Sequence, residues 1–154
     1  MTDVVKKWIT DWTAVSFSGT RTLVSLADDE WADLSDELNN TTLGKAIFAD
    51  FNLVLGSAAH NGADAAVEEY ILPAGQGDTY PDWTADGIID LQEHNNHFVG
   101  GFTVASMTAA VNQSLRDVEV PPGKFKVGVR NRTNVALAAS GATLYYRLWS
   151  HGSA

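Results

Sequence analysis

Hydrophobic and polar positions along the chain fall into one segment of helical period, followed by short alternating runs. In residues 2–12, Val4, Val5, Trp8, Ile9 and Trp12 share a stripe with Asp3, Lys6, Lys7 and Asp11 between them, which is the spacing of a short amphipathic helix. Thr2 can cap that helix and Asp3 suits its positive end. So short a helix is marginal unless it docks on something. The pattern therefore predicts an amphipathic arm over residues 1–15 and a single domain over 16–154. Its stripe has two possible uses: it covers the protein's own core, or it anchors the chain to a neighbouring subunit.

Beyond Ser16 the period changes to two. Phe17, Leu23, Val24 and Leu26 lie in a Thr/Ser-rich stretch that reads as strand, as do the run from Ala46 to Leu55 and the run from Val67 to Leu72. The stretch from Asp28 to Leu38 fits an acidic edge strand or a single helical turn equally. Pro73 to Gly87 reads as a long loop carrying Tyr80 and Trp83. The clearest alternation is C-terminal. Phe125, Val127 and Val129 point one way, and Lys124, Lys126 and Arg130 the other, after a Pro121-Pro122-Gly123 turn of expected type II. After turns at residues 130–134 and at Ser140-Gly141, Leu144, Tyr146 and Leu148 alternate with Thr143, Tyr145, Arg147 and Trp149. Short strands punctuated by turns predict an all-β fold, an antiparallel β-sandwich of jelly-roll type.

Composition narrows the function classes. The 154 residues contain no cysteine, which removes thiol nucleophiles, disulfide frameworks and Cys-ligated zinc. Nineteen acidic against ten basic side chains give a net charge of −9, which repels phosphate backbones and anionic lipid, so neither nucleic acid nor membrane is an expected partner. No apolar run is long enough to span a bilayer and the N-terminus lacks a secretory h-region, so synthesis in the cytoplasm is expected. The charge is uneven: residues 1–111 hold 17 acidic and 4 basic groups, residues 112–154 hold 2 and 6.

Catalytic signatures are missing: no G-x-S-x-G, H-E-x-x-H, P-loop or G-x-G-x-x-G occurs. No enzyme activity and no cofactor or metal are expected. His94 and His97 within Glu93-His94-Asn95-Asn96-His97 could meet one ion on a helix, but the neighbouring Gly100 and Gly101 favour a polar loop; His60 and His151 read as solvated. Tyr80, Asp82 and Trp83 combine an aromatic face with a carboxylate, the ingredients of a sugar site, although Trp83 could instead fold back on the sandwich. The triplets starting at Asn40, Asn112 and Asn131 match the N-glycosylation pattern, but read as turn residues without a secretory signal.

The run from Leu115 to Lys126 (LRDVEVPPGKFK), then Arg130-Asn131-Arg132-Thr133, then Ala139 to Arg147 (ASGATLYYR), resembles a family of small β-sandwich virion proteins of tailed bacteriophages. Glu68-Glu69-Tyr70-Ile71-Leu72-Pro73 and Tyr80-Pro81-Asp82 share that likeness. Together the blocks cover somewhat under half of the chain; the Trp8/Trp12 segment and residues 93–97 have no counterpart. The resemblance implies a structural virion protein, with a head decoration (cement) protein as the expected type. Such a protein binds the major capsid protein, sits on the outer capsid surface as a homotrimer and has no catalytic residues. Val4, Val5, Trp8, Ile9 and Trp12 are then the expected capsid contact. The alternative is a carbohydrate-binding adhesion module on the virion surface or tail, using Tyr80, Asp82 and Trp83.

Overall fold

The computed structural model describes all residues except 1–3, 42–45, 58–64, 81–82, 85–86, 89–96, 105–108 and 154. Its strands are β1 (Val4–Trp8), β2 (Thr13–Ala14), β3 (Leu38–Asn39), β4 (Phe48–Leu55), β5 (Ala66–Pro73), β6 (Trp83–Thr84), β7 (Gly87–Ile88), β8 (Phe98–Thr103), β9 (Val111–Glu119), β10 (Lys124–Arg132) and β11 (Thr143–Ser153). One sheet runs β1-β11-β4-β9, with β2 also against β11, and the other runs β3-β10-β5-β8; β6 and β7 form a separate hairpin. Every pairing within the two large sheets is antiparallel.

The pairs are nested: β1 and β2 with β11, β3 with β10, β4 with β9, β5 with β8. This first-with-last winding, split over two sheets, is the jelly roll, as the alternation predicts. Phe125, Val127 and Val129 are buried, as are Leu144, Tyr146 and Leu148. They meet Ala49, Phe51, Leu53 and Leu55 of β4 and Val67 and Ile71 of β5 in one core between the sheets, with the buried Glu69 on the same face of β5. Slipping β10 by one residue would turn Lys124, Lys126 and Arg130 into that core, which fixes its register.

Four expectations are corrected. The N-terminal segment is a strand, not a helix: β1 pairs residue by residue with the end of β11, from Val4 opposite Ser153 to Trp8 opposite Trp149. β11 is 11 residues long and offers an open ladder of backbone partners, which a marginal helix cannot match. Phe17 to Leu26 forms no strand. Leu23 and Leu26 plug one end of the core, held by the Leu137 N–H to the Leu26 carbonyl at 2.9 Å and the Ser25 N–H to the Ala138 carbonyl at 3.2 Å. The stretch from Asp28 to Leu38 is an irregular crossing beside β10, with a single bridge at Trp31–Arg130 before β3 begins. Its Ala32 and Ser35 N–H groups donate to Val129 and Val127 at 2.9 Å each. Finally, Gly123 lacks the positive φ of a type II turn. The carbonyls of Pro121 and Gly123 are taken by the Asn40 side chain and backbone N–H at 2.6 and 3.2 Å.

Two of the three glycosylation triplets are also settled by packing. Asn40 and Asn131 are fully buried and their amides staple loops: Asn40 to Ala46 and Pro121, Asn131 to Leu26, Ala27, Val135 and Thr133. Neither amide can reach a glycan donor. Asn112 is exposed on β9.

Candidate binding face

The outward side chains of the β1-β11-β4-β9 sheet build a face of aromatic and cationic groups. Alternation puts Tyr145, Arg147, Trp149 and His151 of β11 outward, beside Phe48, Asp50 and Asn52 of β4. At one end Trp149 stacks on Phe48 at 4.5 Å between ring centroids and meets Trp8 edge-on at 6.4 Å. Lys6 Nζ lies 4.2 Å from the Trp149 ring. In the middle, the Arg147 guanidinium is held between two indoles, 3.5 Å from the Trp8 centroid and 4.5 Å from that of Trp12.

Beneath this stack lies Asp50, whose side chain is 1% exposed. It accepts from Arg147 Nη2 at 3.1 Å, the Asp117 N–H at 3.1 Å and Trp149 Nε1 at 3.3 Å. Burial alone would push the Asp50 carboxyl up. The Asp117 N–H, the Arg147 guanidinium and the Lys6 ammonium override it and hold the group below the usual carboxylate range. Asp117 reaches Asp50 from a left-handed conformation, φ 58°, where β9 departs from regular pairing with β4 between Ala49 and Phe51. Asp50 is thus the buried post on which the cationic and aromatic groups are mounted.

The predicted contact residues separate on this scaffold. Trp8 and Trp12 stay 42% and 43% exposed and Val5 41%; Ile9 packs on the core; the Val4 backbone pairs with Ser153, and its side chain lies outside the description. They do not form one stripe, because a strand sends Val5 and Trp8 to opposite faces.

The predicted sugar residues take up another role. Trp83 folds back over the outer face of the β3-β10-β5-β8 sheet. Its Nε1 donates to the Ala32 carbonyl at 2.8 Å, and its ring meets Trp31 edge-on at 4.8 Å. A Cβ on Gly128 would come within 2.2 Å of that ring, so glycine is what lets the indole sit there. With Tyr70, Leu72, Leu34 and Tyr80 it forms a second apolar cluster. Tyr80 donates to Glu37 Oε2 at 2.8 Å under Lys126 Nζ, 4.9 Å from its ring. Asp82 lies outside the described residues. Trp83→Ala is expected to cost about 2–3 kcal/mol of unfolding free energy, read from a urea melt, because it removes packing from Trp31 and a bond from Ala32.

His60 and residues 93–96 also fall outside the described residues. His97 lines an open cleft with Ile71, Phe98, Arg116 and Pro121, and His151 packs edge-on to Phe48 and Trp149. Among the described residues no group of three or more metal-ligating side chains occurs, and no helix there is long and apolar enough to cross a membrane.

What sequence reasoning missed is a groove of about 500 Å³ on the first sheet, lined by Trp12, Asn52, Asn112, Ser114, Arg116, Tyr145 and Arg147. Tyr145 stands opposite Asn52, and Asn52 opposite Ser114, so the three form one row across β11, β4 and β9. Ser114 Oγ donates to Asn52 Oδ1 at 2.8 Å. The outward parity of Tyr145 and Arg147 is legible in the sequence; their meeting with Asn52 and Ser114 depends on register across three distant strands.

No protein-family model matches the chain, and no curated protein does. Among solved structures, one titled "CBM4 structure and function" aligns over 93% of this chain and 94% of its own, at 10% identity and a TM-score of 0.30.

Proposed function

We propose that this chain is a structural, non-catalytic virion protein of tailed-phage type, a capsid decoration protein that docks on the assembled major capsid protein and associates as a homotrimer on the outer head surface. The resemblance of its C-terminal third supports the setting. The observation that carries the docking reading is the pair of half-exposed tryptophans, Trp8 and Trp12, clamping Arg147 on a rigid sheet. Trp and Arg dominate interface hot spots because they bury much area at little conformational cost when already held in place. Here Asp50 and the β1–β11 ladder do the holding.

Because Val4–Trp8 is a paired strand, removing residues 1–13 is expected to lower the melting temperature and so confounds folding with docking. Point substitution separates them. Trp8→Ala in the full chain is expected to weaken binding to expanded, empty capsids about 30-fold, equivalent to about 2 kcal/mol, while retaining the β-rich circular dichroism of the parent. Wild-type protein is also expected to raise the heat resistance of those capsids, since binding only the assembled state stabilises it. Capsid binding unchanged by Trp8→Ala, or absent in the wild type, would overturn the docking reading.

A further inference from the structure

We infer that the groove between Trp12 and Arg116 is a binding site for an acidic oligosaccharide, one carrying uronic-acid carboxylates. The lining residues carry the argument. Two are guanidiniums, Arg116 and Arg147, and none is a carboxylate, on a chain whose net charge is −9. Arg147 already pairs with Asp50. Arg116 is exposed and has no ion-pair partner among the described residues, so its planar fork is free to take a carboxylate in two parallel hydrogen bonds.

The remaining lining fits a sugar ring. Trp12 carries Arg147 over its ring, 4.5 Å from the centroid, yet remains 43% exposed, and its uncovered surface is apolar and suits the C–H face of a pyranose; Tyr145 offers a second. Between them and Arg116 lie short polar groups that suit hydroxyls. The Ser114 hydroxyl donates to Asn52 Oδ1, which leaves the Asn52 amide N–H groups as donors and the Ser114 oxygen as acceptor. Asn112 adds another amide. The row Tyr145–Asn52–Ser114 spans two strand spacings, about 10 Å, the length of a disaccharide.

An acidic peptide fits less well. β4, under the middle of the groove, is paired on both sides, by β11 and β9, so a ligand lying across the groove meets side chains there, and the sheet's free backbone edge lies on the far side of β9. The lining also provides no apolar pocket for a peptide side chain. The pre-set polar row and the flanking rings instead favour a ligand that presents hydroxyls along its length.

The proposal goes beyond capsid docking and is read separately from it. The test titrates full-length protein with a tetragalacturonate, with a neutral cello-oligosaccharide of equal length and with a short poly-glutamate peptide, following indole fluorescence and calorimetry. Saturable binding of the uronate is expected with a Kd of about 0.1–1 mM. A weakening of about tenfold or more is expected for the neutral sugar, for the peptide, and for Arg116→Gln and Trp12→Ala tested with the uronate. Both variants should keep the parent's dichroism. No saturation by the uronate up to about 10 mM would overturn the proposal, as would equal binding of the neutral sugar or of poly-glutamate, or uronate binding untouched in both variants. The docking pair and the groove share Trp12 and Arg147, so Arg116→Gln, which leaves the docking pair intact, is the variant that tells the two apart: it should weaken uronate binding and leave capsid binding as in the wild type.

Discussion

Asn131→Ala is expected to lower the unfolding free energy by about 2–4 kcal/mol, in a urea melt followed by fluorescence. The residue is fully buried at the point where β10 ends. Its Nδ2 shares two N–H groups among the carbonyls of Leu26, Ala27 and Val135, at 2.9, 3.0 and 2.7 Å. Its Oδ1 accepts from the Thr133 N–H at 3.0 Å and the Thr133 hydroxyl at 2.7 Å. One amide thereby ties the loop before Trp31 to the turn after β10. Alanine would strip a donor from three carbonyls and leave the Thr133 N–H buried without an acceptor, and each such loss costs the desolvation of the orphaned group. Asn131→Asp is expected to be at least as damaging, because a carboxylate would aim an acceptor at three acceptors. A loss below about 1 kcal/mol for the alanine variant would show that water substitutes for the amide and that the loop is not stapled as described.

That staple shows why local pattern goes only part of the way. The strands β10 and β11 are legible because each alternates strictly, has one face in the core and is bounded by turns, so propensity, burial and register agree. β1 is not legible. Val4, Val5, Trp8 and Ile9 satisfy a helical stripe, and an edge strand half-exposed on both faces carries no strict alternation to oppose it. The deciding partner, β11, lies about 140 positions away: Trp8 pairs with Trp149. Leu23 and Leu26 look like strand residues because they are buried, yet they plug an end of the sandwich from a loop.

The binding face divides in the same way. Trp8 and Trp12 are identifiable as exposed aromatics, whereas Asp50, which orders Arg147 beneath them, lies in an apolar run and shows no signal of its own. Trp83 and Tyr80 look like site residues because loop aromatics so often are. Gly128 hints at the alternative, since a glycine inside a strand marks a close approach; here the approaching group is the Trp83 indole. The groove is assembled by register across β11, β4 and β9, a long-range property that no window of sequence contains.

The adjacent pair Glu68-Glu69 does carry a sequence signal, and it leads to a pH prediction. On a strand covered on both faces, neighbouring residues point opposite ways, so one of the two acids must face inward. Glu68 faces the outer cluster, accepting from the Tyr70 hydroxyl at 2.9 Å with Arg130 Nη1 at 3.9 Å. Glu69 shares its face with Val67 and Ile71 of the core, is 0% exposed, and neither carboxyl oxygen has a hydrogen-bond partner among the described residues. Burial pushes its pKa well above the usual carboxylate range. The sign follows from linkage. In acid, below the unfolded pKa, folded and unfolded chains both carry the proton and Glu69 imposes no pH dependence. As pH rises above that range the unfolded chain releases its proton and the folded chain does not, so stability falls by about 1.4 kcal/mol per pH unit until the folded group itself ionises. Asp33 and Asp50 act in the opposite sense. Both are held below their ordinary range, so their stabilisation is complete above the unfolded carboxylate pKa and is lost as pH falls through their folded values. Stability is therefore expected to peak in mildly acidic solution. Glu69→Gln is expected to abolish the decline that sets in as pH rises above the ordinary carboxylate range while leaving the acid limb set by Asp33 and Asp50 in place. Urea melts of both proteins above that range give the slope directly. A wild-type slope equal to that of Glu69→Gln would mean that Glu69 ionises in the folded state, with water or a partner reaching it in the core.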